Sequence, residues 1–261
     1  MAQDSKIEWT HHTANLWHGC TKVHEGCDHC YAETLSKRWG NDVWGNDKPR
    51  KEIKSVWNDL AKYQKLAAAA GEMHRVFVGS MMDIFEKPMN VIDSKGNQVY
   101  CNHSNTWKTD TGLLRDEFFN NIELGLYPNL FFLLLTKRPS NINKMIPESW
   151  KEFPPVNVMF GTSPVNEETF DKLVGQLMQV NGRKFLSIEP QLGKISLPID
   201  FKIDWIIQGG ESGHHKRPFD LSWAMTLRNE CAALNIPYFF KQIDKVQPIP
   251  TDLMIRQFPK F

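Results

Sequence analysis

With 261 residues, 41% of them apolar, the chain carries material for one large α/β domain or two small ones. Its net charge of +1 and 23% charged residues exclude a global field for nucleic acid or membranes, leaving room only for a local basic patch. The longest apolar run, Leu130 to Leu135, is far too short to span a bilayer, so no membrane partner is expected.

The opening residues, Met1-Ala2-Gln3-Asp4-Ser5-Lys6, lack the apolar core of a signal peptide, and a cytoplasmic location is expected. Ile7 to Trp9 is predicted as a short first strand. The stretch from Gly19 to Ala32 follows, with three of the five cysteines, Cys20, Cys27 and Cys30, spaced C-x6-C-x2-C. Tyr31 to Trp39 is predicted as a helix stopped by Gly40, and residues 40–51 as a polar loop. Ile53, Val56, Trp57, Leu60 and Tyr63 fall at helical spacing, which predicts a helix over Glu52 to Ala70 ended by Gly71. Arg75 to Ser80 is predicted as a buried strand running into Met81-Met82-Asp83. Residues 86–112, with Cys101 and His103 among them, are polar and too long for an ordinary connection, so they read as an insertion or lid. Leu113 to Leu126 reads as an amphipathic helix. Leu130 to Thr136 lacks alternation, as a strand covered on both faces does.

The pattern then repeats. Helices are predicted over Pro139 to Ile146, Val165 to Val180 and Leu221 to Leu234, and strands over Val156 to Gly161, Lys184 to Ile188, Trp205 to Gln208 and Pro237 to Phe240. This is an α/β pattern of about six to seven parallel units, which argues for a partial parallel (β/α) barrel in a single domain over residues 1–240. Residues 241–261, with three prolines, read as an extension that wraps the domain.

In parallel α/β folds the ligand site lies at the carboxyl ends of the strands, and here each apolar run ends in polar groups. Ser80 and Asp83 follow the second strand, Lys137 and Arg138 the third, Ser163 the fourth and Glu189 the fifth. The sixth ends in Gly209-Gly210-Glu211-Ser212-Gly213. Lys137 and Arg138 beside Pro139 would favour a carboxylate or phosphate. Glu189 would bind a ribose hydroxyl, a basic substrate or a proton in transfer, or pair with Lys137 or Arg138. The glycines allow close approach of backbone to a ligand, but match neither a Walker loop nor a dinucleotide fingerprint. His214-His215-Lys216-Arg217 adds cations suited to a phosphate. Trp9, Trp17, Trp39, Trp44 and Trp57 crowd the region of the cysteines, as core or as stacking surfaces. A structural role is expected for His11 and His12.

Three thiols cannot pair evenly in disulfides, so the cysteine loop reads as a ligand set. A [4Fe–4S] cluster on three thiolates leaves one iron open, whereas zinc would take His18, His24 or His29 as a fourth ligand. Cys101 and Cys231 stand alone, which fits a reducing compartment.

The cysteine loop, with Tyr31 and Ala32 behind its last thiol, resembles the cluster loop of radical S-adenosylmethionine (SAM) enzymes, whose usual spacing is C-x3-C-x2-C. Taken with Lys6-Ile7-Glu8-Trp9-Thr10 and Ser187-Ile188-Glu189-Pro190, nearly the whole chain is similar to the phage and prophage three-cysteine-motif family of radical-SAM-like proteins. The resemblance implies a barrel of the radical SAM type, a [4Fe–4S] cluster on Cys20, Cys27 and Cys30, bound SAM and an external electron donor. By their positions at strand ends, Ser80, Asp83, Ser163, Gly209, Gly210 and Glu211 are the candidates to bind the cofactor, the glycine stretch as a wall for the adenosine or the substrate, and Glu189 and Lys137 are the candidate catalytic residues. The Gly-Gly-Glu stretch usual after the second strand of radical SAM proteins is absent here. The resemblance leaves the substrate unidentified; the phage association of similar proteins, with Lys137, Arg138, Lys216 and Arg217 suited to phosphates, is compatible with a nucleotide or nucleic acid, and a protein partner is compatible too. An iron–sulfur or zinc protein without SAM chemistry is the alternative. A nuclease-like barrel would want clustered carboxylates, and Asp83, Glu189 and Glu211 form only a loose set.

Overall fold

The computed structural model describes residues 5–100, 107–213 and 215–260. In chain order the strands are β1 (His12–Ala14), β2 (Trp17–His18), β3 (Arg50–Glu52), β4 (His74–Val78), β5 (Val91–Ile92), β6 (Leu130–Thr136), β7 (Val158–Thr162), β8 (Arg183–Ile188), β9 (Trp205–Gly209) and β10 (Tyr238–Gln242). The helices are α1 (Tyr31–Arg38), α2 (Val56–Ala70), α3 (Thr111–Glu123), α4 (Ile142–Met145), α5 (Glu148–Glu152), α6 (Glu167–Leu177) and α7 (Leu221–Ala233). Seven strands form one sheet in the order β1-β4-β6-β7-β8-β9-β10, with every neighbouring pair parallel. The sheet curls into a half-barrel, as the alternation of strands and helices predicts.

The pleat explains the unbroken run LFFLLLT of β6. Phe131 and Leu133 point to the concave face, where they pack with Phe77, Met159, Phe185, Trp205, Ile207 and Phe239. Leu130, Phe132 and Leu134 point outward into the larger core under the helices. Both faces are dry, so both are apolar. On the concave face, a Cβ at Gly161 would stand 2.3 Å from the Phe185 ring, so only glycine leaves room for that ring.

Several predicted elements shift. The first strand is His12–Ala14 rather than Ile7 to Trp9. Trp9 instead plugs the half-barrel, its ring centroid 4.7 Å from that of Phe77 and 6.1 Å from that of Trp205. Helix α2 begins at Val56, because Arg50–Glu52 pairs with Trp17–His18 and with Val91–Ile92 in a second, three-stranded sheet. It ends at Gly71, whose φ of 67° gives the left-handed cap. The predicted helix over Pro139 to Ile146 is a 3₁₀ turn followed by α4, and Pro147 separates it from α5.

The described part of the 86–112 segment is anchored by β5 and by antiparallel bridges Asn90–Asp110, Ile92–Gln98 and Tyr100–Lys108. Cys101 and His103 lie outside the described residues. The last strand takes in Lys241 and Gln242, two residues assigned by sequence to the extension. Beyond it the chain turns back: Arg256 bridges Phe239, Leu253 is buried, and Trp205 Nε1 donates to the Gln257 carbonyl at 2.9 Å. Among the described residues no helix is long and apolar enough to cross a membrane.

Candidate functional site

A cavity of about 760 Å³ opens at the carboxyl ends of the large sheet. Trp9, Phe77 and Leu135 form its apolar floor, and all three cysteines of the N-terminal loop line it. Cys20, Cys27 and Cys30 are free thiols. The loop is drawn across the mouth by contacts from successive strand ends. Arg138, after β6, donates through Nη2 to the Thr21 carbonyl at 2.6 Å, and its Nη1 lies 3.8 Å from Cys20 Sγ. Asn166, after β7, donates to Glu25 Oε1 at 2.6 Å. Arg217, after β9, donates to the Glu25 carbonyl at 3.1 Å, and His29 Nδ1 lies 3.0 Å from Glu211 Oε2. Gly19 starts the loop at φ 118°, where a Cβ would meet the Val43 carbonyl at 2.3 Å and Arg50 Cδ at 2.7 Å.

Beneath the loop lies a charged network. Arg50 is fully buried and pairs bidentately with Glu86, while its remaining N–H groups reach the carbonyls of Val43, Lys48 and Gly45 and the Thr21 hydroxyl. Asp83 accepts from Arg138 Nη1 at 2.7 Å, Thr136 Oγ1 at 2.7 Å, the Phe85 amide at 3.0 Å and the Lys137 amide at 3.2 Å. The carboxylate thus fixes the β6 end and, through Arg138, the cysteine loop. Burial pushes the Cys20 thiol up to about 12; Asp83 and Glu86 add to the shift and Arg138 opposes it. Burial, with Lys137 second, pulls His24 down to about 4.

The structure gathers most of the sequence-predicted site. Ser80, Asp83, Lys137, Ser163 and Glu189 line the cavity with the thiols. Ser80 is oriented by Asn15 Nδ2 at 2.8 Å, and its carbonyl accepts from the Tyr31 hydroxyl at 2.8 Å. Ser163 is buried and its hydroxyl has no hydrogen-bond partner among the described residues. Glu189 pairs with Lys241 and accepts from Trp9 Nε1 at 3.2 Å; neither Lys137 nor Arg138 is its partner.

Other predicted residues serve elsewhere. Gly209, Gly210 and Glu211 are outside the cavity lining. A Cβ at Gly210 would stand 2.0 Å from the Ile243 carbonyl, so this glycine admits the neighbouring backbone rather than a ligand. Burial works to raise the Glu211 carboxyl, but hydrogen bonds from Arg217 and His29 hold it below the usual range. Lys216 is engaged by Asp244 at 2.8 Å and Arg217 by Glu211 at 2.5 Å. His214 lies outside the described residues.

The histidines of the loop have partners other than the thiols. His24 Nδ1 accepts from the Gly26 amide at 3.1 Å, and the His18 ring stacks on Trp39 with centroids 5.8 Å apart. Among the described residues, no three His, Cys, Asp or Glu side chains converge closely enough to hold a single metal ion. Trp44 lines the cavity, while Trp17 and Trp57 belong to the outer core. His11 and His12 are structural, stacking on His74 and Tyr63. Sequence reasoning passed over Arg50, Glu86, Asn15, Lys241 and Lys245. Only the two lysines carried a usable signal, since they follow a predicted strand.

The fold and cavity define an α/β protein with a parallel half-barrel whose strand ends face a three-cysteine loop. Residues 4–252 match a family described as a protein of unknown function, DUF5131, and the chain belongs to that family. No curated protein and no solved structure matches it.

Proposed function

We propose that this chain is a radical-SAM-like iron–sulfur enzyme acting in the cytoplasm, with an external electron donor and a nucleotide or nucleic-acid substrate. One observation carries the reading: three free cysteines line a single cavity at the carboxyl ends of a parallel half-barrel. Cys20, Cys27 and Cys30 would hold a [4Fe–4S] cluster and leave one iron for SAM. Zinc would have to take His29 as its fourth ligand, since His18 and His24 are outside the cavity lining; the His29 Nδ1 is on Glu211, which leaves Nε2 for an ion. Against zinc, thiolates sharing one ion would stand roughly 4 Å apart, as Zn–S bonds of about 2.3 Å require, and among the described residues no three His, Cys, Asp or Glu side chains converge that closely. When bound, the cluster would supply one electron to the SAM sulfonium, breaking a C–S bond and releasing a 5′-deoxyadenosyl radical and methionine.

The chain's own groups would position and isolate the reactants. Ser163 offers a buried hydroxyl and Ser80 a hydroxyl oriented by Asn15, both suited to the polar end of SAM. Asp83 acts at one remove, holding Arg138 and the Lys137 amide. Glu189, steadied by Lys241 and Trp9, would accept a hydrogen bond from a ribose hydroxyl or a proton from the substrate. Trp9, Phe77 and Leu135 keep water from the floor.

Anaerobic iron and sulfide analysis with an absorption spectrum tests the reading. About four irons and four sulfides per chain are expected, lost in a Cys20→Ala/Cys27→Ala/Cys30→Ala variant, with SAM cleaved to 5′-deoxyadenosine on reduction. Stoichiometric zinc, or no metal after reconstitution, would sink it.

A further inference from the structure

Six cations line the cavity: Lys22, Arg38, Lys137, Arg138, Lys241 and Lys245. Against them stand the carboxylates of Asp28, Asp83 and Glu189. Lys22 is held by Glu33 at 3.2 Å, Arg138 by Asp83 at 2.7 Å, and Lys241 by Glu189. Arg38, Lys137 and Lys245 form no ion pair among the described residues; Arg38 ends helix α1, whereas the two lysines rise from different strand ends, after β6 and after β10. The basic loop that sequence offered for phosphate is already engaged, through Lys216–Asp244 and Arg217–Glu211.

We propose that Lys137 and Lys245 form a clamp for the phosphate of a nucleotide unit, either a free nucleotide or one residue of a single strand. The proposal rests on the reading of this cavity as the substrate site and names the substrate's chemistry.

Both lysines are presented by fixed backbone. The Lys137 amide donates to Asp83, and Asp83 also holds Arg138. Lys245 sits at φ 67°, a conformation uncommon for a side-chain-bearing residue. The Asp244 carboxylate locks that turn by accepting from the amides of Val246 at 2.8 Å and Gln247 at 2.7 Å. Burial and then the charge of Lys241 work against the Lys245 ammonium, a crowding of cations that an anion relieves. Two cations on separate strand ends suit an anion with several oxygens, as phosphate has.

The aromatic lining supplies the other half of a nucleotide site. Tyr31 is fixed by its hydroxyl's hydrogen bond to the Ser80 carbonyl at 2.8 Å, and Trp44 lines the same cavity. Bases stack on such rings whatever their identity. A cavity of about 760 Å³ falls within the range of about 300–1,000 Å³ of small-ligand sites. A strand would therefore present one unit to it.

The test is fluorescence anisotropy with a fluorescein-labelled single-stranded DNA oligonucleotide over graded salt, with AMP and adenosine as competitors. Iron and sulfide are assayed on the same protein. Wild type is expected to bind phosphate-bearing probes, with AMP competing far better than adenosine. Lys137→Ala/Lys245→Ala should weaken binding at least tenfold and lower the salt slope by roughly 0.7, the value for one phosphate released on a single strand. Lys151→Ala, at a surface lysine outside the cavity lining, should retain wild-type affinity. Stronger binding of the oligonucleotide than of AMP identifies a strand as the source; binding of AMP alone, followed by calorimetry, identifies a free nucleotide. Equal competition by adenosine, no binding of either probe, or wild-type affinity in the double variant overturns the clamp. Binding that the double variant loses, in protein that takes up no cluster, would keep the clamp and overturn the iron–sulfur reading. A loaded cluster without phosphate binding would do the reverse.

Discussion

Arg50 and Glu86 meet as a bidentate pair, with Nε 2.9 Å from one carboxylate oxygen and Nη2 2.7 Å from the other, both side chains buried. The pair joins the polar loop at 43–48 and Thr21 of the cysteine loop to the chain after β4. Glu86→Ala would strand the guanidinium without its counter-charge and is expected to cost about 3–5 kcal/mol. An Arg50→Met/Glu86→Leu double variant removes both charges and should be less damaged than the single one. Urea unfolding of the three proteins checks this. A single variant no less stable than wild type would remove the pair from any organising role.

Arg138 ties the cysteine loop to Asp83 by a 2.6 Å bond to the Thr21 carbonyl and a 2.7 Å bond to the carboxylate. Arg138→Gln keeps hydrogen-bonding capacity but removes the charge and the fork. It should lower stability by about 2–4 kcal/mol, because Asp83 is left buried with neutral donors only. Amide exchange over residues 20–22 should accelerate while exchange in β6 stays slow. Uniform acceleration across the chain would mean general destabilisation instead of a released tether.

The sequence's legible part was the part set by dry packing. Leu130–Thr136 is read directly as a strand covered on both faces because every position in it is buried or nearly so. Trp9 defeated the same reasoning: an apolar residue next to Ile7 looks like a strand, yet it fills the half-barrel from a turn. The strand-end rule found Ser80, Asp83, Lys137, Ser163 and Glu189, since parallel strands deliver their C-terminal residues to one mouth. It could not tell which cations are already paired. Lys216 and Arg217 look as free in sequence as Lys137, and only their distances to Asp244 and Glu211 separate them. Arg50 was hidden for a related reason, because a buried charge has no pattern apart from its partners. Gly210 reads as a ligand-facing glycine until Ile243 is seen against it.

His11 should make stability depend on pH. Burial, then Arg75, His74 and His12, pull it down to about 4, and its Nδ1 accepts from the Arg75 amide at 2.8 Å, as a neutral ring does. The unfolded chain takes up a proton near 6.5 and the folded chain does not, so between those values the unfolded state binds more protons. Stability from this group is therefore complete above about 6.5 and is lost as pH falls towards 4. Urea midpoints at several pH values should decline over that window in wild type, and less steeply in His11→Asn. Parallel curves for the two proteins would assign the acid loss to other groups.

Gly161→Ala tests how the half-barrel is filled. The new methyl would come within 2.3–2.6 Å of three atoms of the Phe185 ring, in a concave core where Met159, Phe185 and Trp205 are all buried. The ring cannot retreat, since its centroid lies 6.2 Å from that of Trp205 and 6.5 Å from that of Trp9. Overpacking of this kind costs about 1–3 kcal/mol. Phe185→Leu alone should also destabilise, by leaving a gap. Combined with Gly161→Ala, it makes room for the methyl, so the double variant should be more stable than the sum of the two single losses requires. Trp9 and Trp205 fluorescence would report any shift of the floor. Additive losses in the double variant would mean that the sheet, not the ring, yields to the methyl.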